Sequence, residues 1–426
     1  MEIIFGIYRI LPLVLLIVTI PYFILTFLGF FLRKIYPKTE EFLRYAVIIP
    51  ARNESMVIKD SVESIKAAEC GDKIDVYVLA HNCTDDTLIQ AENAGAIGFV
   101  YNNSTEKTKG FAIKAFIQDC IEKNKLENYD GFFIVDADNL VKKDFFIKMN
   151  EAFVSEGKKS VINGYQNAKN FGENIISSLY GIYQLRNASL ERRSRSVLNI
   201  SSRIRGTSYL IPAKILRNGF PYTSLTEDWD FCGDLILKGV NIAYCEQAEF
   251  FDEQPTSFRV MLRQRYRWSA GYLFVSRKYF FQLLKALLLP RKADGSAKKL
   301  SVYDFMISLI PYPTLIVFND CLLFITAAIG IGFGVDFHKV IMHWLGILQH
   351  EYLSLFLIEY ALTISCFILE RKHITGVSLK MKAITVLLYP FFFLLSFPIQ
   401  IAAFFSKDVR WETIPHTSAE RPDLSQ

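Results

Sequence analysis

Hydrophobic positions are gathered at the two ends of this chain, while the middle alternates short apolar and polar segments as a soluble enzyme does. An unbroken apolar run from Leu11 to Leu32 is long enough to cross a bilayer. It is too long for a signal-peptide core and lacks a basic leader and a small-residue cleavage site, so residues 1–34 are expected to form a retained transmembrane anchor. Arg33 and Lys34 follow at once, and the positive-inside bias places the next segment in the cytoplasm. Three more apolar stretches, about Thr314–Val335, Tyr352–Leu369 and Ala383–Phe405, predict about three transmembrane helices over residues 314–405, followed by a polar tail, 406–426. Arg371, Lys372, Lys380 and Lys382 make the loop between the last two cytoplasmic, which puts the tail outside unless Pro390 and Pro398 break the final stretch into a re-entrant hairpin.

From Tyr45 to about Asp252 the period switches repeatedly between strand and helix. Strands are expected at Ala46–Ile49, Val76–Leu79, Gly98–Val100 and Phe132–Val135, with helices such as Val57–Ala68, Leu88–Ala94 and Gly110–Lys123 between them. That alternation predicts an α/β fold over residues 45–256: a Rossmann-like, mostly parallel sheet with helices on both faces. Ligands of such sheets sit beyond the carboxyl ends of the strands. Ser257 to about Pro290 interleaves Arg259, Arg263, Arg267 and Arg277 with Leu262, Trp268, Phe280 and Leu287, the pattern of an amphipathic helix in the lipid headgroup region. Phe171–Leu190 is expected to lie there too, and Val302–Pro313 to be an interfacial lead-in helix, so that residues 257–313 form an interfacial segment.

Composition sharpens this only a little. Of 426 residues 51% are hydrophobic, and the net charge is +5. So small an excess does not call for nucleic acid, and its clustering beside apolar segments suits an anionic membrane surface. The 7 cysteines include no Cys-x-x-Cys pair, which argues against a zinc site and for reduced structural thiols.

Five polar clusters carry candidate chemistry. The apolar strand Phe132-Phe133-Ile134-Val135 ends in Asp136-Ala137-Asp138, two hard oxygen donors able to hold Mg²⁺ or Mn²⁺ against a diphosphate, or else a solvated turn. Pro50-Ala51-Arg52-Asn53-Glu54 runs from a strand into a helix, where a nucleotide can be contacted, yet it lacks the glycine fingerprint of dinucleotide loops. His81-Asn82-Cys83-Thr84-Asp85 follows the second strand; His81 can bond a base edge or be structural. Thr226-Glu227-Asp228-Trp229-Asp230 opens a helix, which the helix dipole alone would explain, but it also offers Asp228 as a general base. Gln264-Arg265-Tyr266-Arg267-Trp268 combines a diphosphate-binding guanidinium with an indole, though snorkelling arginines on a membrane-surface helix look the same.

In this order the five segments resemble those of family-2 glycosyltransferases, specifically the membrane-integrated processive type that includes cellulose, hyaluronan and poly-N-acetylglucosamine synthases; the resemblance spans roughly Tyr45 to Leu273. It implies Asp138 as the main metal ligand with Asp136 beside it, Asp228 as catalytic base supported by Glu227, and Arg267 on the diphosphate. It further implies a nucleoside pocket lined by Pro50, Arg52, Glu54 and His81, and Lys109 near the donor. Gln264, Arg265, Trp268, Gly206 and Thr207 would border the acceptor. One departure stands out: the family usually has an aspartate against uracil where this chain has His81.

The expected activity is therefore inverting, Mg²⁺- or Mn²⁺-dependent transfer of a hexose or N-acetylhexosamine from a UDP-sugar to a growing cell-surface polysaccharide. The enzyme would be a multi-pass protein of the cell membrane with its catalytic domain in the cytoplasm and membrane lipids as partners. Two rivals remain: a single transfer to a lipid of the ceramide or polyprenyl type, and a non-catalytic component of glycan assembly or export. Asn319, Asp320 and Glu359, costly in lipid, mark either a wet path or helix–helix hydrogen bonding.

Overall fold

The computed structural model describes residues 17–289, 298–310, 312–405 and 424. Residues 1–16 of the expected anchor, residues 290–297 and 311 of the expected interfacial segment, and the polar tail apart from Leu424 lie outside the described residues.

Eight strands form one sheet in the order β3-β2-β1-β4-β7-β6-β8-β5. They are β1 (Tyr45–Ala51), β2 (Ile74–His81), β3 (Ile97–Tyr101), β4 (Gly131–Ile134), β5 (Leu140–Val141), β6 (Val161–Ala168), β7 (Tyr209–Pro212) and β8 (Ile242–Asp252). The four strands expected from the sequence are all present. The other four were not legible, because β6 and β8 alternate poorly, carrying Asn163, Gln166, Glu246 and Gln247, and β5 and β7 are too short to show a period. Four of the seven pairings are parallel, and β7 and β5 run against the rest. It follows that β1, β2, β3, β4, β6 and β8 all point the same way, and their carboxyl ends share one edge of the sheet.

Every residue of β1 is buried. Alternation then assigns its side chains: Ala46 and Ile48 join one core, Tyr45, Val47 and Ile49 the other. The first core is closed by α4 (Lys109–Glu122), α8 (Glu227–Leu237), α9 (Phe258–Leu288) and α10 (Lys299–Ser308). The second is closed by α2 (Ile58–Lys66), α3 (Thr87–Asn93) and α5 (Phe145–Ser155). Burial on both faces explains why these strands read as continuous apolar runs.

The remaining helices are α1 (Ile17–Leu28), α6 (Ile175–Arg186), α7 (Arg193–Val197), α11 (Tyr312–Gly332), α12 (Phe337–Leu369), α13 (Leu379–Leu394) and α14 (Ser396–Phe405). Among the described residues two helices are long and apolar enough to cross a membrane, Phe337–Leu369 and the continuous Leu379–Phe405. Two further apolar helical stretches, Ile17–Leu28 and Phe318–Gly332, belong to α1 and α11. The last stretch is not a hairpin: the helix passes Pro390 and is interrupted only at Leu395.

Two expected interfacial helices are instead packed inside. In α6, Leu179, Tyr180, Ile182 and Leu185 are buried against Met261, Cys366, Tyr389 and Phe392. In α10, Val302 and Phe305 enter the first core, and Asp304 pairs with Arg195 at 2.8 Å. Both helices are buried on several sides, polar residues such as Ser178 and Asp304 included, so protein and not lipid covers these faces.

The domain is tied to α12 by ion pairs, Arg186–Glu359 at 2.5 Å and Arg193–Glu370 at 2.7 Å. The basic loop after α12 docks on the domain through His373 and Glu249, 2.9 Å apart. Asn319 and Asp320 of α11 bond Glu351 and Tyr352 of α12 at 3.2 and 2.8 Å, which is helix–helix hydrogen bonding.

Candidate active site

The shared carboxyl edge gathers residues that are distant in sequence. Parallel β1, β2 and β4 deliver the Arg52 loop, His81 and Asp136, and β8 delivers Asp252 beside them. Antiparallel β7 starts at this edge, so Gly206 and Thr207, just before it, arrive there too. Together with the first turn of α8 and one face of α9 they line a cavity of about 240 Å³.

Lys109, the first residue of α4, stands at its centre. Its Nζ donates to the Gly206 carbonyl at 2.6 Å and to Asp136 Oδ1 at 3.0 Å, and lies 3.1 Å from Glu227 Oε1. Gly206 has a φ of 78°, a left-handed conformation that suits glycine. A methyl group there would stand 3.7 Å from Asp228 Oδ2 and 3.8 Å from Lys109 Nζ, which locates Asp228 in the same cluster. Thr207 Oγ1 accepts from the Asp136 amide at 2.8 Å and from Asn139 Nδ2 at 2.5 Å, fixing the turn that carries the two aspartates.

Charge in this cluster is unbalanced. Burial works against the Lys109 ammonium, but Asp136, Glu227 and Asp228 outweigh it and hold its pKa above that of an ordinary lysine. Burial, with Glu227 adding to it and Lys109 opposing, pushes Asp228 up to about 7. Asp252 is pushed up to about 8 by burial and by the negative charge of Asp138 and Asp136, although Gln166 and Gln254 donate to it at 2.7 and 2.6 Å. Arg267 faces these carboxylates from α9 without a hydrogen bond or ion pair to any described residue, and burial lowers its pKa.

The donor chemistry fits a divalent cation: Asp136, Asp138 and Asp252 are hard oxygen ligands that repel one another when no cation is between them. Among the described residues no three such groups are arranged to hold an ion.

Of the residues singled out in the sequence, Pro50, Arg52, Glu54, His81, Lys109, Asp136, Asp138, Gly206, Thr207, Glu227, Asp228, Gln264, Arg267 and Trp268 line this one cavity. Arg265 does not. Its guanidinium donates to the Phe392 carbonyl at 2.8 Å and to Ser396 Oγ, and lies over the Phe392 ring. Helical period explains the split: 264, 267, 268 and 271 share a face, and 265 is turned away from it. Asp230 is structural, bonded by Lys278 at 2.6 Å and by the Tyr279 hydroxyl at 2.8 Å, which clamps α8 to α9. The clamp is tightened where Gly271 lets α9 approach Thr226, leaving no room for a side chain.

His81 is almost fully buried, and its Nε2 lies 2.7 Å from the Glu106 carbonyl. A carbonyl only accepts, so the proton sits on Nε2 and Nδ1 is left as an acceptor; burial keeps the ring neutral. Sequence reasoning missed Asp252, Gln166, Tyr183, Gln184 and Tyr272. Asp252 carried a signal, since Phe250-Phe251-Asp252 repeats the apolar-strand-then-acid pattern of Asp136. The others carried none.

Residues 43–271 match the family described as Glycosyltransferase like family 2. The probable glycosyltransferase YdaM of Bacillus subtilis (strain 168) is 22% identical over 253 residues, which is 58% of this chain and 59% of that protein. The chain thus matches about three fifths of the length of that relative. The structure of the mannosyltransferase PcManGT from Pyrobaculum calidifontis, in complex with GDP-Man and Mn²⁺, superposes with a TM-score of 0.55. That alignment is 13% identical and covers 86% of this chain and 98% of that one, a likeness of fold.

Proposed function

Because this chain belongs to the glycosyltransferase family 2, we propose that it moves a sugar, with inversion, from a nucleoside diphosphate sugar to an acceptor hydroxyl presented at a membrane face. The carrying observation is the Lys109 cluster: one ammonium bridges Asp136 and Glu227, with Asp228 and Arg267 in the same cavity. The pattern is that of a site short of a ligand that bears both negative charge and a cation.

In this reading Arg267 binds the diphosphate, for which its fork of N–H groups is suited. Asp136, Asp138 and Asp252 would hold Mg²⁺ or Mn²⁺, and PcManGT is described with Mn²⁺ and GDP-Man. The ion supplies charge stabilisation of the leaving diphosphate. Asp228, with a pKa near neutrality, accepts the acceptor proton as the hydroxyl oxygen attacks the anomeric carbon. Lys109 keeps Glu227 and Asp136 in place for this. His81 Nδ1 accepts a base N–H, which uracil and guanine both offer, so a UDP-hexose or UDP-N-acetylhexosamine and a GDP-sugar are all compatible donors.

Membrane attachment is part of the proposal. It is supported by the two helices of spanning length and by the exposed apolar side chains of α9, such as Phe274, Phe281 and Leu288, beside exposed Arg259 and Arg263. A screen of UDP- and GDP-sugars on the purified protein with Mg²⁺ or Mn²⁺, reading nucleoside diphosphate release and labelled product, tests it. Release with none of them would defeat the reading.

A further inference from the structure

A second cavity of about 260 Å³ adjoins the first and shares the walls made by Tyr183, Arg205, Trp229, Trp268 and Tyr272. From there it runs between the apolar helices. Thr19, Tyr22 and Phe23 come from α1, and Ile307, Ser308 and Ile310 from α10 and the residues after it. Tyr389, Phe392 and Phe393 come from α13, and Ser396, Ile399 and Gln400 from α14. Its wall is therefore largely aromatic and aliphatic at the end away from the carboxylates.

One polar group in it lacks the partner its burial demands. Asn187 is 4% exposed, and its Nδ2 has no hydrogen-bond partner. It sits where α6 passes into a π-helical turn, residues 187–192, whose Glu191 also lines the cavity. Leaving a buried donor unmade costs about 1–3 kcal/mol, so such a group points to a ligand. Arg265, set aside by the catalytic cavity, lines this one, with a carbonyl, a hydroxyl and a ring as partners and no carboxylate among the described residues. The site thus has a hydrogen-bond donor and a cation for an oxygen-rich head, then an apolar cleft between helices.

We propose that this second cavity is the acceptor subsite and that the acceptor is a hydroxyl-bearing lipid. Its chain enters between α1 and the α13–α14 helix, Asn187 and Arg265 bind its head, and its hydroxyl reaches Asp228 past Trp268 and Tyr183. This rests on the transferase reading above. In the step, the lipid hydroxyl oxygen bonds to the anomeric carbon, the bond from that carbon to the diphosphate breaks, the proton goes to Asp228 and the nucleoside diphosphate leaves. The stacking of Tyr183 on Trp268, at 6.4 Å and 19° between planes, makes a flat aromatic wall at the junction, suited to the sugar as it is transferred.

The test uses the full-length protein in nanodiscs with radiolabelled UDP- and GDP-sugars. Dioleoylglycerol or a polyprenyl-phosphate-linked monosaccharide is placed in the disc, or a soluble oligosaccharide is added to the buffer. The proposal expects label in the organic extract from a disc-borne probe and at least tenfold less from the soluble one. Ile399→Trp and Ser308→Phe, which fill the cavity, should each lower lipid labelling at least tenfold relative to nucleoside diphosphate release. Asn187→Leu should raise the KM for the lipid probe several-fold with little change in kcat. Ile401→Trp, on the exposed side of the same helix, should change neither. Unaltered lipid labelling in both cavity-filling variants overturns the subsite. Label found only in water-soluble polymer, with elongation blocked by the same variants, overturns it in favour of a glycan conduit. If the wild type releases no nucleoside diphosphate at all, the transferase reading fails first and this one with it.

Discussion

Replacing Asp228 with Asn should abolish transfer and, at the same time, make the protein more stable. Asp228 is buried beside Glu227, and its pKa is pushed from the ordinary 3.8 to about 7, with burial the largest cause and Glu227 the next. At about 1.4 kcal/mol for each tenfold change in an ionisation constant, holding that carboxylate ionised in the fold costs about 4 kcal/mol. The sign follows from proton counting. Between pH 3.8 and about 7 the folded state holds a proton that the unfolded chain has released, so stability falls as pH rises through this window and the loss is complete above it. Asn carries no such cost, and the attraction of Lys109 is already contained in that shift, so the gain is about 4 kcal/mol. For a domain of this size that corresponds to roughly 8–16 °C in apparent Tm at pH 8, shrinking towards zero near pH 4. Scanning fluorimetry of both proteins in detergent from pH 4 to pH 8 measures it. Transfer should drop about 10²–10⁴-fold while nucleotide binding persists, and in the wild type the acidic limb of the kcat/KM profile should have its midpoint near 7. An equal Tm difference at pH 4 and pH 8, or near-normal turnover of Asp228→Asn, would refute the reasoning.

Other perturbations separate the parts of the site. Arg267→Ala removes a buried guanidinium that faces Glu227, Asp136 and Asp228, so it should lower Tm modestly and raise the donor KM at least about tenfold. Chelation with EDTA should stop transfer, and Asp138→Asn and Asp252→Asn should each raise the Mn²⁺ or Mg²⁺ concentration for half-maximal activity about 10- to 100-fold, read by metal titration. Gly271→Ala introduces a methyl group against the Thr226 side chain, which holds the turn before Glu227 and Asp228. It should cut kcat about tenfold or more with a Tm loss of about 1–3 kcal/mol equivalent; unchanged kcat would show that the α8–α9 contact does not set the site.

The sequence by itself determined the sheet's first half, because β1, β2 and β4 are buried on both faces and so spell unbroken apolar runs that end in polar loops. It also marked residues that come together, since strands that must run parallel bring their carboxyl ends to one edge, and fourteen of the fifteen candidate site residues line one cavity there. Arg265 is the exception, and only the helical phase of α9 inside the folded protein could show that it faces a different space. Tertiary structure alone decided that α6 and α10 are covered by protein, because an apolar helix surface has the same composition whether it meets lipid or another helix. It alone placed Asp252 against Asp138, from a strand whose mixed polar character hid it. And it alone opened the aromatic cleft between α1, α10 and the last helix, since a cavity is a relation between distant surfaces that no local stretch of residues records.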